Sequence, residues 1–236
     1  MSVKKSVYLL SGRSPTREGR ADPVIQAVFR ESGTAAPTIA YIGTANGDNT
    51  DFYNRMAATF IKEGACRVNH TLLSPDGADI KAAQAVLQSA DIIFLSGGDV
   101  DWRIRVLREK NMVDFLLGLY EEGKPYFGSS AGALMLAREW VRWRDPDDNS
   151  SAELFSCLGL APVICDTHDE DSGWQELQAA LRLEEDNTRG YGIVTGTAIR
   201  VLPTGEVEAW GGAVHRYIRH GEGVERIADI LPISNR

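Results

Sequence analysis

The central stretch of the sequence is Tyr126-Phe127-Gly128-Ser129-Ser130-Ala131-Gly132-Ala133-Leu134-Met135. A short apolar run leads into a Gly-x-Ser-x-Gly turn, and residues that favour a helix follow it. This order is the sequence form of a nucleophile elbow, a strained turn between a strand and a helix that exposes a serine hydroxyl. Because the turn is cramped, its flanking residues must be nearly free of side chain, and Gly128 and Gly132 meet that need. The alternative interpretation is a tight turn in which Ser129 or Ser130 only caps the helix.

Segments typical of strands and helices alternate along the chain before this turn. The pattern predicts a doubly wound, mostly parallel α/β sheet with helices on both faces, as in flavodoxin-like folds. Ligands of such sheets bind at the carboxyl ends of the strands, and Ser130 falls at one of these ends. The predicted strands are 7–10, 38–42, 68–73 and 92–95, and the predicted helices run from Asp22-Pro23 to about Glu31 and over 51–63, 80–88, 102–108 and 113–121.

The last third of the chain has a different pattern, with short strand-like segments separated by glycines. Gly205 and Gly211-Gly212 mark turns between the last segments and predict C-terminal β-hairpins. No repeat or linker stands out, so residues 1–236 are interpreted as a single α/β domain. The predicted late strands are 163–165, 192–194, 198–202, 207–210 and 214–218.

Composition excludes several classes of function. The 236 residues carry a formal net charge of −8 and contain no basic run, so no nucleic-acid partner is expected. No apolar run is long enough to span a membrane, and 1–6 lacks the apolar core of a signal peptide, so a cytoplasmic location is expected. The three cysteines have no C-x-x-C spacing, and neither a metal nor a cofactor is expected.

A serine hydroxyl is a poor nucleophile at neutral pH and needs a base. Of the four histidines, His168 is the best candidate because it follows the apolar run 163–165. We therefore expect it at a strand end, on the edge of the sheet that carries Ser130. His70 falls inside a predicted strand, and His215 and His220 fall in or beside a late hairpin.

Two further parts of a hydrolytic site have candidates. The carboxylate that orients the base is ambiguous, because acidic residues follow the elbow helix and also surround His168. The oxyanion hole needs two backbone N–H donors, for which Ala131 and Gly98 are the candidates. The acidic candidates are Asp145, Asp147 and Asp148 after the elbow helix, and Asp166, Asp169, Glu170 and Asp171 around the histidine.

Three blocks of the sequence resemble the peptidase E and cyanophycinase family of serine peptidases, whose fold is similar to that of class I glutamine amidotransferases. They are Ser96-Gly97-Gly98-Asp99, Gly128-x-Ser130-Ala131-Gly132-Ala133 and the strand that ends at His168. The resemblance extends from Val7 to about Val201. It implies that Ser130 is the nucleophile and His168 the base.

The same resemblance implies an acidic third member shortly after the elbow helix. An ungapped reading places it at Asp145, and a small gap moves it to Asp147 or Asp148. Asp166-Thr167-His168 is more similar to the cyanophycinase branch. However, Asp169-Glu170-Asp171 stands where that branch has phenylalanine and spaced arginines.

The expected function is that of a serine hydrolase cleaving a peptide or isopeptide bond in a small, aspartyl-containing peptide. We expect arginines to hold the acidic substrate, with Arg13 and Arg17 in the loop after the first strand and Arg189 before a late strand. A homodimer is left open. One alternative is a glutamine amidotransferase-like transferase, which the His-x-Glu spacing of His168-Asp169-Glu170 favours. The other is a ligand-binding relative without catalysis.

Overall fold

The structure is a computed structural model that describes residues 3–12 and 21–233. Strands and helices alternate through its first half, and strands dominate the second half. The strands are β1 (Val7–Leu10), β2 (Thr38–Ile42), β3 (Arg67–Thr71), β4 (Ile92–Leu95), β5 (Tyr126–Ser129), β6 (Glu139–Trp143), β7 (Ala152–Ser156), β8 (Ile164–Thr167), β9 (Arg189–Ile193), β10 (Ala198–Val201), β11 (Val207–Trp210), β12 (Val214–His220) and β13 (Gly223–Ile230). The α-helices are α1 (Pro23–Ser32), α2 (Thr50–Lys62), α3 (Ile80–Ser89), α4 (Val100–Glu109), α5 (Val113–Glu121), α6 (Ala131–Leu136) and α7 (Gln175–Arg182), and short 3₁₀ turns occupy Thr44–Asn46 and Asn149–Ser151.

The main sheet has seven strands in the order β11-β10-β1-β5-β4-β2-β3. Its five strands from β1 to β3 pair in parallel, and β10 and β11 add an antiparallel edge. The central strands β1 and β4 are apolar and buried at every position, because helices cover both faces of the sheet. The predicted α/β fold with a mainly parallel sheet is confirmed.

Helix starts follow from capping side chains. The carboxylate of Asp22 accepts hydrogen bonds from the N–H groups of Val24 and Ile25, and Pro23 occupies the first turn of α1, as the Asp22-Pro23 pair predicts. Asn49, Asp79 and Asp99 cap α2, α3 and α4 in the same way.

A second sheet corrects part of the sequence interpretation. Its four strands have the order β13-β12-β9-β8, so β8 and the histidine after it do not belong to the sheet that carries Ser130. The strand that carries Ser130, β5, is paired on both sides by β1 and β4, so β8 cannot lie beside it and pairs in parallel with β9 instead. The two predicted C-terminal hairpins lie in different sheets. The β10–β11 hairpin belongs to the main sheet, and the β12–β13 hairpin belongs to the second sheet.

The two sheets share one hydrophobic cluster, which contains Leu9 and Leu95 of the main sheet and Cys165 and Ile193 of the second. The elbow helix α6 is buried along its whole length and packs against β1, β4, β5 and β8. This packing brings the ends of β5 and β8 to the same place. No helix in the described part of the chain is both long enough and apolar enough to span a bilayer.

Candidate active site

The backbone at Ser130 has the strained form of a nucleophile elbow. Its φ of 55° and ψ of −128° lie in a region that residues with a side chain rarely adopt, at a cost of about 1–3 kcal/mol. The two motif glycines explain how the turn fits. A Cβ atom at Gly128 would lie 2.3 Å from the carbonyl oxygen of Gly132, and one at Gly132 would lie 2.1 Å from that of Leu95. Only glycine lets α6 pack this closely on β5 and β4.

Ser130 and His168 meet directly. The Oγ atom of Ser130 lies 2.7 Å from Nε2 of His168, which is hydrogen-bond distance. His168 follows β8 with a φ of 45°, and its backbone N–H donates to the carbonyl of Ile193 at 3.1 Å. The β8–β9 pairing therefore fixes the backbone of the histidine beside a hydroxyl that belongs to the other sheet. A hydroxyl bonded to a neutral imidazole nitrogen is arranged for proton transfer.

The loop after β4 lies against the elbow. Gly98 has a φ of 146°, and a Cβ atom there would lie 1.9 Å from the carbonyl oxygen of Ala45. The N–H of Asp99 donates to the same oxygen at 2.8 Å, so the loop is held close to the 3₁₀ turn. Gly98 and Ala131 both line the cleft that contains Ser130. Since Ala131 is the first residue of α6, its N–H has no acceptor within the helix.

The candidate orienting carboxylates lie in different places. Asp145 is exposed in the turn between β6 and β7, where its Oδ1 atom accepts a hydrogen bond from the N–H of Asp147 at 3.1 Å. Among the contacts of the described residues, none joins Asp145 to His168. Its role as the third member stays a prediction from the sequence.

The carboxylate of Glu170 interacts electrostatically with the imidazole of His168. Its carboxylate accepts hydrogen bonds from the N–H and the hydroxyl of Thr195. Burial disfavours the charged form, but these hydrogen bonds and the attraction of His168 outweigh it and lower the pKa of Glu170. Glu170 is therefore an ionised carboxylate whose charge interacts with that of the candidate base.

A cleft of about 620 Å³ opens at Ser130. One wall is aromatic and comes from the β6–β7 hairpin, which contributes Trp140, Trp143 and Phe155. This hairpin was not predicted from the sequence. The signal that could have found it is the concentration of aromatic and β-branched residues over 139–143, followed by a polar turn and a second short segment.

The cleft is also acidic, with Asp166, Asp169 and Glu176 among its lining residues. Asp166 is only 4% exposed. Its Oδ1 atom accepts the N–H of Thr167 at 2.7 Å. Burial raises the pKa of Asp166 to about 8, and the negative charges of Asp169 and Glu176 and a hydrogen bond with the Asp169 side chain add to the shift. Burial and the charge of Asp169 also raise the pKa of Glu176.

Of the arginines expected to hold an acidic substrate, Arg189 is the one that the described residues include, and it lies away from this cleft. Arg13 and Arg17 lie outside the described residues. Arg189 begins β9, whose opposite end pairs with the residue before His168, so it lies at the far end of the second sheet. Arg142 lines the cleft, but its guanidinium pairs with Asp101 at 2.9 Å and Glu153 at 2.7 Å.

Other titratable groups are engaged elsewhere. The ring of His70 stacks on Tyr53, and Nδ1 of His215 lies 3.2 Å from the carboxylate of Asp229. Over 3–12 and 21–233, no three His, Cys, Asp or Glu side chains are grouped so that they could hold a metal ion.

The fold and this site define an α/β protein with a serine–histidine pair at a nucleophile elbow. A family model described as Peptidase family S51 matches residues 7–205, and the chain belongs to that family. The resemblance to the peptidase E and cyanophycinase family is thereby confirmed. Family membership supports a peptidase with a peptide substrate.

Solved structures agree with this assignment at the level of the fold. A peptidase from an acI-B1 Actinobacterium has a TM-score of 0.70 and 16% identity, over 97% of both chains. A Listeria monocytogenes EGD-e protein described as a peptidase E candidate has a TM-score of 0.65 and 18% identity, over 88% of this chain and 98% of its own. Among curated proteins, the pyridoxal 5′-phosphate synthase subunit PdxT of Thermosipho africanus (strain TCF52B) is 29% identical over 89 residues, which is 37% of this chain and 46% of PdxT.

Proposed function

We propose that this chain is a serine-type peptidase that cleaves a peptide or isopeptide bond of a small peptide through an acyl-enzyme on Ser130. The observation that carries the proposal is the 2.7 Å contact between Ser130 Oγ and His168 Nε2 at a strained elbow. An exposed serine hydroxyl bonded to an imidazole is the minimal unit of nucleophilic catalysis by serine.

The reaction then follows in two halves. As Ser130 Oγ attacks the scissile carbonyl carbon, its proton passes to His168 Nε2. The tetrahedral intermediate collapses, the C–N bond breaks, and the leaving amine takes the proton from His168. A water molecule next gives a proton to His168 and attacks the ester, which releases the acid and restores the serine hydroxyl.

The backbone N–H groups of Ala131 and Gly98 are proposed to stabilise the oxyanion. Both residues line the cleft at Ser130, and Ala131 follows the nucleophile directly, where such elbows supply one donor. The close packing of Gly98 on Ala45 supports a rigid second donor. Donors held in place before the reaction need no reorganisation as charge develops on the oxygen.

For the carboxylate that orients His168, we favour Glu170 over Asp145. Glu170 interacts electrostatically with His168, whereas the Oδ1 atom of Asp145 is engaged within an exposed turn. An ionised carboxylate near the imidazole stabilises the imidazolium that forms when the base takes the serine proton. This electrostatic interaction favours the triad order Ser130, His168, Glu170, in which the carboxylate would turn from Thr195 toward the imidazole.

The His-x-Glu spacing also keeps an amidotransferase-like reaction as a second candidate. Such a reaction would need a thiolate nucleophile. The described cysteines do not provide one at the elbow: Cys165 is fully buried, and burial raises the pKa of Cys157 to about 12. A serine at the elbow therefore favours hydrolysis.

The experiment that tests the proposal is labelling with a serine-directed phosphonate. We expect one phosphonate per chain, bound to Ser130 and lost in Ser130→Ala. Ser129→Ala is the matched control, because it removes the neighbouring hydroxyl and should leave labelling intact. Equal labelling of Ser130→Ala, or labelling that a cysteine-directed reagent blocks, would overturn the serine mechanism.

A further inference from the structure

The side-chain amide of Asn46 links the 3₁₀ turn after β2 to the loop after β4. Its Nδ2 atom lies 2.9 Å from Ser96 Oγ, 3.3 Å from the carbonyl oxygen of Gly97 and 3.2 Å from the hydroxyl of Tyr41. Its Oδ1 atom accepts the N–H of Asn49 at 3.1 Å. Because a backbone N–H can only donate, this contact identifies Oδ1, and the donating end of the amide faces the loop.

The carbonyl of Gly97 shares one peptide group with the N–H of Gly98. No peptide bond of the described residues is cis, so the two groups lie in one plane and point in opposite directions. A hydrogen bond from Asn46 to this carbonyl therefore sets the direction of the N–H of Gly98. Within the described part of the chain this N–H donates to no other group, and Gly98 lines the cleft. It is thus left to donate to a substrate.

The glycine pair cannot fix this peptide by itself, because consecutive glycines give the backbone a wide choice of conformation. The restraint comes from neighbouring elements. The N–H of Asp99 donates to the carbonyl of Ala45 at 2.8 Å. A Cβ atom on Gly97 would lie 3.1 Å from Cβ and 3.6 Å from Oγ of Ser130. The peptide that Asn46 holds therefore lies beside the candidate nucleophile.

Resting on the proposed peptidase function, we propose that Asn46 is a positioning residue that aims the N–H of Gly98 at the oxyanion. Asn46 is not among the described residues that line the cleft, so it acts through the peptide and touches no reacting atom. A hydrogen bond on the carbonyl also polarises the peptide and makes its N–H a stronger donor. A donor that is aimed before the reaction needs no reorganisation as negative charge develops on the oxygen.

The first test measures labelling by an alkyl fluorophosphonate at several concentrations, which separates kinact from KI. As the bond from Ser130 Oγ to phosphorus forms and fluoride leaves, the phosphoryl oxygen takes the place of the oxyanion. Asn46→Asp keeps the size of the side chain and an acceptor for the N–H of Asn49 but loses both amide hydrogens, and Asn46→Ala removes the whole amide. We expect each variant to lower kinact by about 10- to 100-fold and to change KI by less than about threefold, because the charge on the oxygen develops only in the transition state.

Asn49→Ala is the matched control. It removes the side chain that caps α2 from the same turn but keeps the backbone N–H that Asn46 accepts. It should therefore destabilise the turn without changing kinact. An unchanged kinact in both Asn46 variants, a loss carried by KI alone, or an equal loss in Asn49→Ala would overturn the proposal while Ser130 remains the labelled residue.

A measurement without turnover separates this inference from the proposed reaction. When every glycine carries ¹³C at its carbonyl and ¹⁵N at its amide, an amide correlates with a labelled preceding carbonyl only where glycine follows glycine, at 97–98 and 211–212. Gly211→Ala identifies the second signal.

A carbonyl carbon moves upfield in the NMR spectrum when its hydrogen bond is lost. Asn46→Ala should therefore shift the carbonyl carbon of the 97–98 signal upfield and leave the 211–212 signal in place, whereas Asn49→Ala should shift neither. That result supports the hold of Asn46 on the peptide even if no serine is labelled. An unmoved 97–98 signal in Asn46→Ala overturns the positioning role even if Ser130 is labelled.

Discussion

Replacing Asp166 by asparagine should make the protein more stable at neutral pH. The carboxyl group is buried, and its pKa is raised from 3.8 to about 8. At pH 7 the folded protein must hold a proton that the unfolded chain has released, which costs about 1.4 kcal/mol per pH unit above 3.8, or about 4 kcal/mol. Asparagine keeps the acceptor for the N–H of Thr167 and removes this cost.

The sign of the pH dependence is fixed by the direction of the shift. Between pH 3.8 and about 8 the folded state binds more protons than the unfolded state, so the wild-type protein loses stability through this group as pH rises. Below that range both states hold the proton. The advantage of Asp166→Asn should therefore be about 0.5 kcal/mol at pH 4, about 1.6 kcal/mol at pH 5 and about 4 kcal/mol at pH 7.

The assay is urea unfolding of both proteins at pH 4, 5, 6, 7 and 8. Groups that titrate alike in both proteins cancel in the difference. A gain of about 4 kcal/mol at pH 7 corresponds to a rise in Tm on the order of 10 °C for a chain of this length. Two outcomes would refute the reasoning: a stability difference that does not vary with pH, and a variant that is less stable than wild type at pH 7. Either outcome would mean that the folded protein already pairs Asp166 with a donor.

Three further predictions concern catalysis. Ser130→Ala should lower kcat by about 10⁴-fold or more without lowering the free energy of unfolding, and near-normal turnover would rule out the serine mechanism. Glu170→Gln should lower kcat by about 10²- to 10⁴-fold while Asp145→Asn has little effect, and the opposite result in the same steady-state assay would assign the triad carboxylate to Asp145. Gly98→Ala should lower kcat by about 10- to 10³-fold, because its Cβ atom would lie 1.9 Å from a carbonyl oxygen and displace a proposed oxyanion donor. The control Gly118→Ala, where a Cβ atom meets nothing within 4 Å, should keep full activity and raise the free energy of unfolding by up to about 1 kcal/mol.

The main sheet and the elbow were predictable because their signals are local. Apolar runs such as 92–95, capping residues such as Asp22 and the glycines of the elbow each act within a few positions of the chain. The pairing of β8 was not predictable in this way. Its apolar pattern fits either sheet, and the choice between them is made by its pairing with β9, which lies more than twenty residues further along the chain.

The approach of His168 to Ser130 was predicted for a reason that is only partly right. Ligand sites do form at the carboxyl ends of parallel strands, and both residues follow such strands. The two strands, however, lie in different sheets, and burial of α6 against both brings their ends together. That contact depends on packing between distant segments, which no local pattern encodes.

The sign of the charge in the cleft could not be predicted from the number of arginines near predicted strand ends. Arginines near predicted strand ends favour an anionic substrate, but the register of β9 puts Arg189 at the end away from His168. One signal for the opposite charge was available, since 163–167 is an apolar strand interrupted by Asp166. An aspartate inside a buried strand is rarely retained without a partner. The structure places this aspartate in the cleft beside Asp169, and burial together with the Asp169 side chain keeps its proton bound at a pH where a free aspartate has lost it.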